Sequence, residues 1–431
     1  MNTQLILGVF ALAAGAAFAS ATVKDVKVTQ NWPWNGKVNI DYTIEAPAGA
    51  LVDIDIVLRN GTRRIDIGWG AHDASRLYSQ TAGTYRVTWD PAKTVGNTAP
   101  VWFEFTAEVT VANNNDMFLV IDLEGDDGAG HYPVTFTDTP PAGGWNTDEY
   151  KTTKLVMRRI PAGTFTMGSP YDEIGRANTD SRGPAYAKGP RTEALHPVTF
   201  TNFFYVGIFE MTEKQYCLIE GIGGGSTVAV ANYANGVITN GIDILSLRGA
   251  NSKTQDVFPA YEADSFFGRL NTKFALTGKL ANYVFDLPSI SQAEYACRAG
   301  TTTTYYNGFN SSSLTNDVNL TPLAWYRNAT WWRTRTVGGK LPNAFGLYDT
   351  LGNANELCLD VVPDGAILWW QEGVPLVEPI LYDPDHWPWP SVVQGGDEEQ
   401  IAKECRAACK NSGGSGGRNV GFRLALVARR K

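Results

Sequence analysis

The chain changes rhythm about a third of the way along. From Val23 to about Thr137 apolar and polar positions alternate, as in Val38-Asn39-Ile40-Asp41-Tyr42-Thr43-Ile44, Tyr85-Arg86-Val87-Thr88-Trp89-Asp90 and Phe103-Glu104-Phe105-Thr106-Ala107-Glu108-Val109. Successive side chains of a strand point to opposite faces, so a period of two predicts half-buried antiparallel strands. The turn pairs Asn35-Gly36, Asn60-Gly61 and Ala82-Gly83 separate the runs. An all-β sandwich of immunoglobulin or fibronectin kind is expected over residues 22–137. Trp32 and Trp34 near its start serve either its core or an exposed aromatic platform. Residues 138–153, with Pro140-Pro141 and Gly143-Gly144, read as a linker.

Beyond Lys154 the pattern is mixed. Thr212-Glu213-Lys214-Gln215 and Ser289-Ile290-Ser291-Gln292 fit capping boxes, in which a hydroxyl and an amide satisfy free N–H groups at a helix start. Phe266, Leu270 and Phe274 recur every four residues, as on one face of a helix, and Gly300 is placed to end the helix that follows Ser289. Short helices among strands and loops predict an α+β domain over residues 154–431.

Composition agrees with two domains. The 431 residues are 43% hydrophobic, which supplies apolar area for packed cores, and 44 Gly with 22 Pro disfavour a helical bundle. A net charge of −8 offers no basic face for phosphates, so no nucleic-acid partner is expected. Residues 5–18 are apolar and small, and Ala19-Ser20-Ala21 suits a signal peptidase. Residues 1–21 are therefore read as a signal peptide, and a secreted, periplasmic or cell-surface location is expected. No later segment is long and apolar enough for a transmembrane span. Cys217, Cys297, Cys358, Cys405 and Cys409 all lie in the second half; export allows one or two disulfides and leaves an odd thiol. Four scattered histidines, His72, His131, His196 and His386, lack the ligand spacing of a zinc site.

One stretch carries candidate chemistry. PNAFGLYDTLGNANELCLD, from Pro342, places Asp349 and Glu356 on either side of Gly352. On its residues alone it is either a cation-binding loop or a tight turn packed by its own aromatics.

Several phrases, taken in order, resemble the formylglycine-generating enzyme or sulfatase-modifying factor family, whose fold is related to C-type lectins. They are Arg159-Ile160-Pro161-Ala162-Gly163-Thr164-Phe165-Thr166-Met167-Gly168, His196-Pro197-Val198-Thr199, Glu210-Met211-Thr212, Phe258-Pro259-Ala260, Tyr295-Ala296-Cys297-Arg298-Ala299-Gly300, Asn343-Ala344-Phe345-Gly346-Leu347-Tyr348-Asp349 and Asn419-Val420-Gly421-Phe422-Arg423-Leu424. The resemblance implies a calcium site made by the side chains of Asp349 and Glu356 with the backbone carbonyls of Gly352 and Ala354, a donor set that suits a hard cation. Where the family has tryptophans around the Glu, this chain has Asn355 and Leu357.

The enzymes of that family bind Cu(I) through two cysteines five positions apart, after a Gly-Gly-Ser. Here Gly395-Gly396 is followed by Asp397, and Gln400 stands where the first ligand belongs. Cys405 falls at a ligand position and Cys409 comes four residues later, so these two are the catalytic candidates. Cys297 resembles a family cysteine that pairs with this segment, which implies a Cys297–Cys405 disulfide and makes copper unlikely. A non-catalytic extracellular protein that binds a protein or glycan is the leading expectation. A copper oxidase acting on an exported sulfatase is the alternative, and a display protein with a diversified C-terminal segment is a third.

Overall fold

The alternation of the first third becomes two three-stranded sheets. In the computed structural model, which describes residues 20–31, 36–65, 77–90, 105–113, 115–176, 193–222, 237–238, 247, 261–327, 334–361, 372–380, 391–413 and 419–429, one sheet runs β1-β2-β5 and the other β4-β3-β6. The strands are β1 (Thr22–Gln30), β2 (Val38–Glu45), β3 (Ile54–Asn60), β4 (Arg63–Ile65), β5 (Gly83–Trp89) and β6 (Phe105–Val111). Register puts Val38 opposite Trp89, Ile40 opposite Val87 and Tyr42 opposite Tyr85. The inward set Val38, Ile40, Tyr42, Val87 and Trp89 shares one core with Val52, Ile54, Ile56 and Leu58 of the second sheet. Residues 1–19, Trp32, Trp34, His72, His386 and Phe258-Pro259-Ala260 lie outside the described residues.

The second unit begins earlier than the alternation implies. Its six-stranded sheet has the order β13-β19-β12-β9-β7-β8, from β7 (Phe118–Asp122), β8 (Val134–Thr137), β9 (Lys154–Ile160), β12 (Phe204–Gly207), β13 (Tyr283–Asp286) and β19 (Ala425–Ala428). β7 pairs with β9 from Phe118 opposite Arg158 to Asp122 opposite Lys154. The boundary expected at residue 137 is thereby corrected. Met117-Phe118-Leu119-Val120-Ile121 is a continuous apolar run, the mark of a strand covered on both faces. Residues 138–153 are not a free linker either. Trp145 packs on Phe118 and Tyr150 at 5.0 Å between ring centroids, the segment ends in the helix Asp148–Thr152, and Asn146 Nδ2 donates to Gly338 O at 2.8 Å. Its prolines and glycines make surface turns between anchored aromatics.

Two smaller sheets complete the unit. β10 (Gly163–Met167), β11 (His196–Phe200) and β15 (Leu376–Val377) form one; β17 (Lys410–Gly413), β16 (Ser391–Gln394), β14 (Asn355–Val361) and β18 (Val420–Gly421) form the other in that order. Both expected capping boxes are present, opening the helices Glu213–Glu220 and Ile290–Arg298. The latter ends at Ala299, which takes the left-handed turn one residue before Gly300. The four-residue repeat gives the helix Phe266–Thr272, capped by Ser265, with Phe274 buried just beyond it. No helix among the described residues is long and apolar enough to cross a membrane.

The two units are joined by a buried ion pair. Arg158 Nη2 donates to both oxygens of Asp53 at 2.6 and 2.7 Å, with both side chains fully inaccessible.

Candidate functional site

The loop from Asp349 to Glu356 is built by backbone constraints. Asp349, Gly352 and Asn353 all have positive φ. A Cβ at Gly352 would lie 2.3 Å from the Trp325 carbonyl, so only glycine fits against that strand bridge. Asn353 Oδ1 accepts from Arg335 N at 2.7 Å, and its Nδ2 donates to Glu210 Oε2 at 2.5 Å. Glu210 Oε1 takes the Ala354 N–H at 3.0 Å.

Three buried carboxyls gather around one guanidinium here. Arg423 Nε reaches both oxygens of Glu356 at 3.1 Å and Nη2 reaches Oε1 at 2.5 Å. The same guanidinium donates to the Gly207 and Tyr348 carbonyls at 2.8 and 2.7 Å. Asp349 Oδ2 accepts from Gly338 N at 2.5 Å, while its buried Oδ1 has no hydrogen-bond partner among the described residues. Burial pushes the Asp349 carboxyl up to about 6. Burial, with the charges of Asp349 and Glu356 added, drives Glu210 well above the usual carboxylate range.

This donor set fits a hard cation. A carboxylate oxygen can only accept, and one buried without a donor is what a cation satisfies. Asp349 and Glu356 are the side chains that would hold calcium, with the carbonyls of Gly352 and Ala354; Glu356 would share its charge between the ion and Arg423. Among the described residues no group of three or more His, Cys, Asp or Glu is placed to hold a metal, and this set, two carboxylates with two carbonyls, is of another kind.

The segment that matches the family's copper-binding one is poorly suited to that ion. Cys405 is fully buried among Tyr305, Leu320, Leu323 and Ala407, and burial drives its thiol well above its ordinary range, away from the thiolate that Cu(I) needs. A Cβ at Gly396 would lie 2.6 Å from Cys405 Sγ, so the glycine is required by packing against the thiol. Gln400 takes part in a turn, its N–H on Asp397 O at 3.1 Å and its carbonyl accepting from Arg327 N at 2.9 Å. Asp397 accepts from Asn355 Nδ2 and from Glu399 N, and burial raises Asp397 to about 6 and Glu398 to about 7. Cys409 is buried as well.

The expected Cys297–Cys405 disulfide is not seen, and none of the five cysteines is in a disulfide. Cys297 and Cys405 sit in one buried cluster as small apolar side chains, with Cys297 Sγ donating to Thr350 O at 3.7 Å and its thiol pushed by burial up to about 12. Ion pairs hold this segment instead of a covalent bond. Arg406 grips Glu193 and Glu173, and Lys410 Nζ meets Glu294 at 2.8 Å. His196 is buried on β11 with Nδ1 on Ala194 O at 2.7 Å.

Glu210, Asn353 and Arg423 are the site residues that residue-by-residue reasoning passed over. Glu210 and Arg423 stood in the quoted phrases Glu210-Met211-Thr212 and Gly421-Phe422-Arg423 without a role. A lone acid before a capping box and a lone Arg in an apolar run are each costly to bury alone, which is the signal that they pair.

Among solved structures the chain is similar to Treponema denticola variable protein 1, at 19% identity over 64% of this chain and 96% of that one, with a TM-score of 0.42. It is also similar to PvdO from Pseudomonas aeruginosa, at 21% identity over 63% and 94% with a TM-score of 0.38, and to CarF, at 13% identity over 64% and 98% with a TM-score of 0.34. No curated protein sequence matches the chain. The family model described as the sulfatase-modifying factor enzyme 1-like domain matches residues 145–428, and the chain belongs to that family.

Proposed function

We propose that this is an exported, non-catalytic member of its family, which binds a protein or glycan through loops organised by calcium. The observation that carries the reading is Cys405: the thiol nearest to a copper-ligand position is fully buried and held in its protonated form, and Gln400 replaces its partner. An amide is no substitute for a soft anionic ligand. Reduced protein titrated with Cu(I) against a competing chelator is expected to leave the metal with the chelator. One Cu(I) retained per chain, and lost in Cys405→Ser, would contradict the proposal.

Calcium has a defined place in the proposal. A ligand that binds the folded state alone raises the melting temperature, and this one requires Asp349 ionised. Saturating calcium is expected to raise Tm at about pH 7.5, with the rise fading as pH falls through about 6, where Asp349 takes up its proton. In chelator the sign reverses. A carboxyl whose folded pKa lies above its unfolded one binds more protons when folded, so Asp349 favours the fold below its unfolded pKa and loses that contribution as pH rises through about 6. A Tm indifferent to calcium at both pH values would remove the ion from the account.

A further inference from the structure

The loop that carries Asp349 is clamped from two sides, and one clamp comes from the N-terminal sheets. Tyr78 packs on Phe345 with ring centroids 4.6 Å apart, and Ser79 Oγ donates to the Ala344 carbonyl at 3.0 Å. Ser79 is itself held, its N–H on Asp53 Oδ1 at 3.0 Å, the carboxylate that Arg158 grips. From the other side Asn343 Nδ2 donates to the Ala296 and Cys297 carbonyls at 2.7 and 3.0 Å. Ser79 and Asp349 both have φ of 53°, a left-handed conformation that non-glycine residues rarely adopt. Such backbone persists where its surroundings over-determine it; Ser79 is fixed by contacts that link the two units, and Asp349 lies in the loop whose Ala344 carbonyl Ser79 holds.

We infer that the N-terminal two-sheet unit is a positioning element for the cation loop: Tyr78 and Ser79 hold residues 343–349 in the conformation that presents Asp349 Oδ1 to a divalent cation. The inference rests on the calcium reading given above. Releasing the clamp lets Asp349 relax toward ordinary backbone, and cation affinity falls. By reciprocity, the bound cation tightens the docking of the two units.

Calorimetric titration of the full chain with calcium tests this, comparing the wild type with Tyr78→Ala, Tyr78→Phe and Ser79→Ala. Tyr78→Ala is expected to weaken binding roughly tenfold and Ser79→Ala by less, while Tyr78→Phe, which keeps the ring, stays within about twofold of the wild type. A merely structural role would lower Tm equally with and without calcium; the inference requires the calcium-induced rise itself to shrink in Tyr78→Ala. Wild type that takes up no calcium overturns both the reading and the inference. Calcium bound equally tightly by wild type, Tyr78→Ala and Ser79→Ala overturns the inference alone. Should Tyr78→Ala fail to fold, Ser79→Ala decides by the same two readouts.

Discussion

Asp53→Ala is expected to lower stability by about 3–5 kcal/mol, and to lower it for the whole chain at once. Removing the carboxylate strands the Arg158 guanidinium, which is fully inaccessible and whose Nη2 makes both of the short bonds to Asp53. It also takes the acceptor from the Ser79 N–H. An exposed pair would contribute at most about 1 kcal/mol, so the size of the loss reports burial. The pair joins β9 of the large sheet to the N-terminal sheets, and Val38, Trp89, Phe118, Phe165 and Phe345 belong to one continuous apolar cluster. Urea unfolding followed by tryptophan fluorescence and far-ultraviolet dichroism should therefore give one coincident transition, shifted as a whole in the variant. Two separated transitions, with a loss below about 1 kcal/mol, would mean that the units fold independently.

Arg423→Met should cost a comparable amount, about 3–5 kcal/mol near neutral pH, and the loss should shrink on acidification. The guanidinium is the cation that Glu356 contacts directly, and Asp349 and Glu210 lie in its field. Without it the three carboxyls repel one another in a dry site. The folded pKa values of Asp349 and Glu210, already raised, then rise further above the unfolded ones, so the folded state binds extra protons and recovers stability as pH falls. Unfolding curves of wild type and variant at about pH 7.5 and about pH 5 check this. A deficit that is the same at both pH values would mean that Arg423 acts through packing alone. Calcium should also stabilise the variant more than the wild type, because Glu356 no longer divides its charge.

Much of the fold was legible in local pattern. Period-two alternation located β2, β5 and β6, because each is a strand with one face on a core. Thr212 and Ser289 marked helix starts because a hydroxyl three residues before Gln has one dominant use at that spacing. The boundary was misplaced for a physical reason. Composition at residues 138–153 reports turns and says nothing of what Trp145 and Tyr150 pack against, and pairing of β7 with β9 is a non-local choice. At the site, the sequence brought Asp349, Gly352 and Glu356 together because they are close in the chain. It could not bring in Glu210 or Arg423, which arrive from 143 and 67 residues away. The cysteines were the least legible. Spacing alone does not separate a thiol that ligates from one that fills a core, and burial decides for Cys405 and Cys297.

The proposal that this chain carries no copper-oxidase chemistry is tested most directly on a peptide. Reduced full-length protein is loaded with Cu(I), incubated in air with a peptide bearing a sulfatase-type cysteine, and the peptide is analysed by mass spectrometry, with Cys405→Ala protein in parallel. The prediction is an unchanged peptide thiol in both reactions, because the site offers a turn of Asp397, Glu398 and Gln400 around a buried, protonated Cys405. Conversion of the cysteine to the aldehyde by the wild type, abolished in Cys405→Ala, would contradict the account and make Cys405 a copper ligand.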